Sequence, residues 1–163
     1  MDDLTRDSPS DAAALSGAGG VLAGRYRVLS RLGRGATKEV YLAHDERLDR
    51  EVALAIVVGA GGSDAARERV LREAQLTGRL GDHPNVITVY DSGELDGVPY
   101  LVMRAMRGGS LADLLERERP SVAEAARLGS EIAAALAHAH AHGVVHRDVK
   151  PDNVWLAADG SAA

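Results

Sequence analysis

Apolar and polar residues alternate from Tyr26 onward in a way that predicts a run of strands. Tyr26-Arg27-Val28-Leu29-Ser30-Arg31-Leu32-Gly33 has the pattern of a strand, Arg34 to Thr37 that of a tight turn, and Glu39-Val40-Tyr41-Leu42-Ala43 that of the returning strand of a hairpin. A polar turn from Glu46 to Arg50 leads into a third strand, Glu51 to Val58, dense in Val and Ile. Gly59 to Gly62 is a loop, after which Ser63 or Asp64 can cap a helix from Ala65 to Leu80. Val70, Ala74, Thr77 and Leu80, flanked by Leu71, fall at helical spacing; Arg67, Glu68, Arg69 and Arg72 face water. Gly81 to Asn85 ends that helix, because the residue before Pro84 avoids helical angles. Val86 to Tyr90 and Tyr100 to Met103 predict two further strands, joined through Gly93 to Gly97.

The period then changes. Ser110 to Arg117 fits a short helix, and Ser121-Val122-Ala123-Glu124 is a capping box opening a long one that runs to His142 and stops at Gly143. Leu128, Ile132, Leu136 and Ala139 form its main stripe, but alanines cover most other faces, so partners are expected on several sides. Val144-Val145 and Val154-Trp155-Leu156 predict short strands on either side of a polar loop. Residues 1–24 are rich in Ser, Ala and Gly without periodicity, the pattern of a disordered leader.

Composition narrows the functional classes. A hydrophobic fraction of 45% suffices for a core, but 3% aromatic residues and no Phe mean a core of Ala, Val and Leu. The net charge of -5 argues against a nucleic-acid or membrane-surface binder. There is no cysteine, hence neither a disulfide framework nor a thiolate metal site. The start lacks a basic segment followed by an apolar run, and no stretch approaches the ~20 apolar residues of a membrane helix. A cytoplasmic protein without a membrane segment is expected, with further domains able to follow residue 163. Among 19 basic residues the only lysines are Lys38 and Lys150. A compact ammonium on a flexible stem suits a crowded phosphate better than Arg does.

The polar loop concentrates the chemistry. In Val144-Val145-His146-Arg147-Asp148-Val149-Lys150-Pro151-Asp152-Asn153, Asp148 can accept a hydroxyl proton, Lys150 can neutralise a phosphate oxygen, and Asn153 can offer an amide oxygen to magnesium. This segment resembles the eukaryotic-type Ser/Thr protein kinases, whose H-R-D-x-K-P-x-N signature it carries complete. The resemblance implies an α+β fold: a small lobe of five antiparallel strands plus one helix over residues 25–103, a hinge at 104–109, and the helical start of a large lobe at 110–163. It also implies ATP and Mg2+ as cofactors and a protein serine or threonine as substrate, with Asp148 as base, Lys150 stabilising the moving phosphoryl group and Asn153 binding metal.

Other site residues follow from the same resemblance. Gly33-Arg34-Gly35-Ala36-Thr37-Lys38-Glu39-Val40 is similar to the kinase glycine-rich loop, with Lys38 in the third glycine position. Val52-Ala53-Leu54-Ala55 aligns with V-A-I-K, so the phosphate-pairing lysine is Ala55 here, while its helix partner Glu73 is retained. Two readings stand: a degenerate kinase that binds nucleotide weakly or not at all, or relocation of the cation to Lys38, as in the with-no-lysine kinases. Val40 and Ala53 would lie above the adenine, Met103 behind it, and the backbone of Arg104 and Met106 along its edge. Trp155 would form the floor, where the family more often has Leu, either stacking on the base or narrowing the slot.

The family's Asp-Phe-Gly motif should follow, but the sequence reaches only Asp159-Gly160-Ser161-Ala162-Ala163. A partial kinase domain is therefore expected, without efficient phosphoryl transfer from these residues alone. The alternative is a non-catalytic kinase-like module for nucleotide or protein binding. A metal site at His138, His140, His142 and His146 is disfavoured, since no carboxylate is close by on the face that His138 and His142 share.

Overall fold

A computed structural model describes residues 20–34, 38–57, 68, 72, 74–95 and 97–163. Its main element is one antiparallel sheet. The strands are β1 (Val21–Leu22), β2 (Tyr26–Arg34), β3 (Lys38–Asp45), β4 (Arg50–Val57), β5 (Val89–Leu95) and β6 (Val98–Arg104), in the order β1-β2-β3-β4-β6-β5. The expected α+β class is borne out, with six strands in place of five. The additional strand is β1, whose Val21 and Leu22 pair with Arg27 and Tyr26, so order begins before residue 25. Leu22 is buried against Tyr26 and Val28, an apolar anchor too short to register as periodicity.

Alternation decides what each face of the sheet covers. Tyr41, Ala43, Val52, Leu54, Ile56, Tyr100 and Val102 form one core with Leu22, Tyr26 and Val28. The opposite face carries Ala55 and Leu101, with Val40, Val57, Ala74, Val89 and Met103 packed around them. Ala74 belongs to a helical segment over 74–78, and residues 68 and 72 are helical too. The expected caps Ser63 and Asp64, and the helix positions 65–67 and 69–71, lie outside the described residues.

The fifth strand departs from expectation. It starts at Val89, because residues 84–86 form a turn in which Val86 N–H donates to His83 O (3.1 Å), and it runs through Gly93 to Leu95. Gly93 is a strand residue facing Tyr100. A Cβ there would lie 2.4 Å from the Tyr100 hydroxyl, so the glycine admits a ring lying across it.

Beyond the sheet, β7 (Gly109–Ser110) leads into α1 (Leu111–Arg117), α2 (Val122–Ala141), a 3-10 turn (Pro151–Asn153) and β8 (Trp155–Leu156). Leu114, Leu128, Val154, Leu156 and Ala162 form a second core, with Leu111 and Ile132 against it. The capping box appears on α1 instead of α2. Ser110 Oγ accepts from Asp113 N (3.1 Å) while Asp113 Oδ2 accepts from Ser110 N (2.8 Å). Ser121 caps α2 through its single bond from Glu124 N (3.2 Å). Among the described residues no helix is long and apolar enough to cross a membrane.

Candidate active site

The polar loop is entered from the end of α2. Gly143 takes φ +72, and Val144 N donates to Ala139 O at 2.9 Å. That bond to the helix end, together with the exposure of Val145, leaves Val144-Val145 irregular where a strand was expected. Rigidity comes instead from β8, whose Trp155 and Leu156 pair with Ser110 and Gly109 of β7. Gly108 makes this approach possible: its N–H donates to Leu156 O (2.7 Å), and a Cβ would sit 2.6 Å from Ala157 O. The trace of that contact in the sequence is the Gly108-Gly109 pair.

Asp148, Lys150 and Asn153 are brought together. Asp148 Oδ2 lies 3.1 Å from Lys150 Nζ and accepts from Asn153 Nδ2 at 2.9 Å; the same amide nitrogen also donates to Asp148 O at 2.8 Å. The Lys150 bond, then the Asn153 bond, hold the Asp148 carboxyl below the usual carboxylate range. It is therefore ionised at neutral pH, the acceptor form a base needs. With its nitrogen turned to Asp148, Asn153 has Oδ1 left as its amide acceptor. Arg147 adopts φ +67, a left-handed conformation that costs a residue with a Cβ about 1 kcal/mol or more and is concentrated at functional turns. His146 Nδ1 accepts from Asp148 N at 3.3 Å, a supporting role.

The roof is built on one sheet face. Gly33 pairs with Val40, Val40 with Ala55, Lys38 with Val57, and Ala53 with Met103. Residues directly opposite in an antiparallel pair share a face, as do alternate residues in one strand. Lys38, Val40, Ala53, Ala55 and Met103 are thus coplanar neighbours on one side. Lys38 is diagonal to Ala55, a separation of about 7–8 Å that a long side chain can span. Gly35 and Glu73 lie outside the described residues.

Behind the roof, Arg104 N–H donates to Thr88 O (2.9 Å), so the edge group it can present to a base is its carbonyl. Its guanidinium donates to Pro84 O (2.9 Å) and Val86 O (3.4 Å), tying the end of β6 to the turn before β5. Met106 is buried. Below, Val154 and Leu156 point into the second core, so Trp155 between them points the other way. Its ring meets Gly33: a Cβ on that glycine would lie 3.2 Å from Trp155 Cη2.

His83, His138 and His142 form one group of adjoining rings. His138 Nε2–H donates to Leu80 O (2.6 Å), and its ring lies 4.6 Å from that of His83 and 4.4 Å from that of His142. His83 was the missed member, being distant in sequence. Among the described residues no three His, Asp or Glu side chains gather as a metal site. The oxygen chemistry of Asn153 nevertheless suits magnesium, which commonly takes few protein ligands and completes its shell with phosphates and water.

Comparison with known proteins agrees with this geometry. The family model described as "Protein kinase domain" matches residues 26–162. The chain is 40% identical to serine/threonine-protein kinase PrkC of Bacillus subtilis over 137 residues, 83% of this chain and 21% of that protein. It is 43% identical to PknD of Mycobacterium tuberculosis over 141 residues, 85% of this chain and 21% of PknD. The crystal structure of the M. tuberculosis PknI kinase domain superposes with a TM-score of 0.73 at 33% identity, covering 90% of this chain and 59% of that one. The chain thus spans about a fifth of the curated kinases it matches, and its sheet and helices correspond to the small lobe and the start of the large lobe. With a family match over residues 26–162 and bacterial Ser/Thr kinases as its relatives, the chain belongs to the protein kinase family.

Proposed function

We propose that this chain forms the nucleotide-binding and base-bearing part of an ATP-dependent protein serine/threonine kinase. The observation that carries the reading is the Asp148–Lys150–Asn153 cluster, an ionised carboxylate bonded to a lysine and an amide within one exposed turn. Asp148 orients the substrate hydroxyl and accepts its proton, and Lys150 offsets charge on the transferred phosphoryl group. Asn153 would hold a magnesium ion through Oδ1, and that ion would neutralise phosphate charge. Val40, Ala53, Met103 and the backbone of Arg104 and Met106 enclose the base, over Trp155.

Lys38 supplies the cation that Ala55 lacks. Their common sheet face and diagonal register support this, since a residue on the opposite face could not reach the same space. A cation about 4 Å from a phosphate oxygen contributes on the order of 4 kcal/mol at an effective dielectric of 20. Measuring ATP affinity by calorimetry tests it: Lys38→Ala should weaken binding at least tenfold, and Ala55→Lys added to that variant should restore part of the loss. Unchanged affinity in Lys38→Ala would leave the second reading, a non-catalytic kinase-like module, which Ala55 favours. The 163 residues alone are expected to bind nucleotide but to transfer phosphoryl groups poorly, with Asn153 the one metal-ligating side chain assigned.

A further inference from the structure

We infer that Trp155 is a gate on the nucleotide slot: its indole closes the gap between floor and roof, and a nucleotide base enters only after the ring swings aside. The inference rests on the ATP-site reading above and adds how access to that site is controlled.

A flat base makes carbon contacts at about 3.5–4.0 Å on each face, so roof and floor must stand about 7 Å apart where it lies. In this conformation the floor touches the roof. Trp155 leaves β8 and its six-membered ring reaches Gly33 of β2, so close that a single Cβ on the glycine would sit 3.2 Å from Cη2 and 3.8 Å from Cζ2. Gly33 is the cross-strand partner of Val40, one of the residues assigned above the base. The indole therefore stands within the space that the base would need.

Main-chain movement does not easily clear it. Trp155 N–H donates to Ala163 O and Trp155 O accepts from Ala163 N, each at 2.9 Å, and on its other side Trp155 pairs with Ser110. Val154 and Leu156 are buried on both flanks. With the backbone fixed between two neighbours, rotation about the side-chain torsions is the low-cost route to opening. Gly33 presents no side chain to resist that rotation. A slot that is open only part of the time has its apparent affinity reduced by the open fraction. If the ring is closed nine-tenths of the time, removing it tightens binding about tenfold.

The test exploits a property of the chain: Trp155 is its sole tryptophan. Stopped-flow mixing of the wild-type protein with ATP, exciting the indole selectively, should give an observed rate that saturates with ATP concentration at the opening rate, with a change in emission as the ring leaves Gly33. Calorimetry should show Trp155→Leu binding ATP about tenfold more tightly, and Trp155→Phe, a smaller ring, between the two. An association rate linear in ATP to millimolar concentration, together with affinities in the variants equal to or weaker than wild type, overturns the gate while leaving the ATP site standing. No ATP binding by wild type or by either folded variant overturns the ATP-site reading, and the gate with it. The wild-type kinetics hold independently of whether a variant folds.

Discussion

The sheet and the loop from Val145 to Asn153 are held by opposite means. In the sheet, Leu54 and Val52 are wholly buried, β4 is paired on both sides, and each face meets other apolar residues. In the loop every residue is exposed, and order comes from a few bonds among Asp148, Lys150, Asn153 and His146 plus one left-handed residue. Burial orders the first region; polar bonds between exposed groups order the second. Damage to one should leave the other nearly intact.

The largest effect belongs to the loop. Asp148→Asn keeps the size of the side chain but removes the proton acceptor, so phosphoryl transfer by the full-length protein should fall about 10² to 10⁴-fold. Its melting temperature should stay within a few degrees, because an exposed group whose bonds face water contributes little to folding. A kinase assay beside a thermal melt checks both, and a large drop in melting temperature would break the comparison. Leu54→Ala is the converse. Truncating a side chain with no exposure should cost about 2–5 kcal/mol, roughly 4–20 °C in melting temperature for a domain of this size. Below that transition ATP affinity should match wild type.

The same contrast explains what could be read from sequence. The loop was legible because its chemistry is local: eight consecutive positions specify Asp148, Lys150 and Asn153, and the structure brings these three within hydrogen-bond reach. Strand alternation likewise gave β2 to β4 within a few residues. What escaped depends on partners far along the chain. Gly93 looked like a loop residue because its reason for being glycine is Tyr100 on the next strand. Val144-Val145 looked like a strand because nothing local shows that its N–H is taken by Ala139. The contact of Trp155 with Gly33 joins residues more than a hundred positions apart and leaves no pattern in either neighbourhood. The box on α1 was missed for a chemical reason, since Asp113 is shorter than the Glu that the usual signature requires.

A smaller, pH-dependent effect sharpens the comparison within the sheet. Arg25 grips the buried Asp45 through Nε (2.8 Å) and Nη2 (2.7 Å), and the N–H groups of Arg47 and Leu48 add to it. The Arg25 bond is the main cause that lowers the Asp45 pKa to about 2. An unfolded aspartate titrates near 3.9. Because the folded value is the lower one, this contribution is complete above about pH 5 and disappears as pH falls from about 4 through 2. Melting temperature should decline over that window. Arg25→Ala should flatten or invert the decline, since a buried carboxyl without its partner favours the protonated form. An acid profile unchanged by Arg25→Ala would assign the sensitivity to the loop and helix carboxylates instead.

The smallest effect compares two helix caps of the same chemistry in different surroundings. Ser110 is buried, both gives and receives bonds with Asp113, and adjoins the β7–β8 pair that carries Trp155. Ser121 is exposed and makes one bond to Glu124 N. Replacing an N-cap serine by alanine costs about 0.5–2 kcal/mol, and burial decides where in that range a cap falls, because water substitutes for the hydroxyl only at the exposed site. Ser110→Ala should therefore lie near ~2 kcal/mol and Ser121→Ala near ~0.5 kcal/mol in urea denaturation. Equal losses would mean that the neighbourhood of β7 is as open to solvent as the start of α2, and that β8 draws no rigidity from the cap beside it.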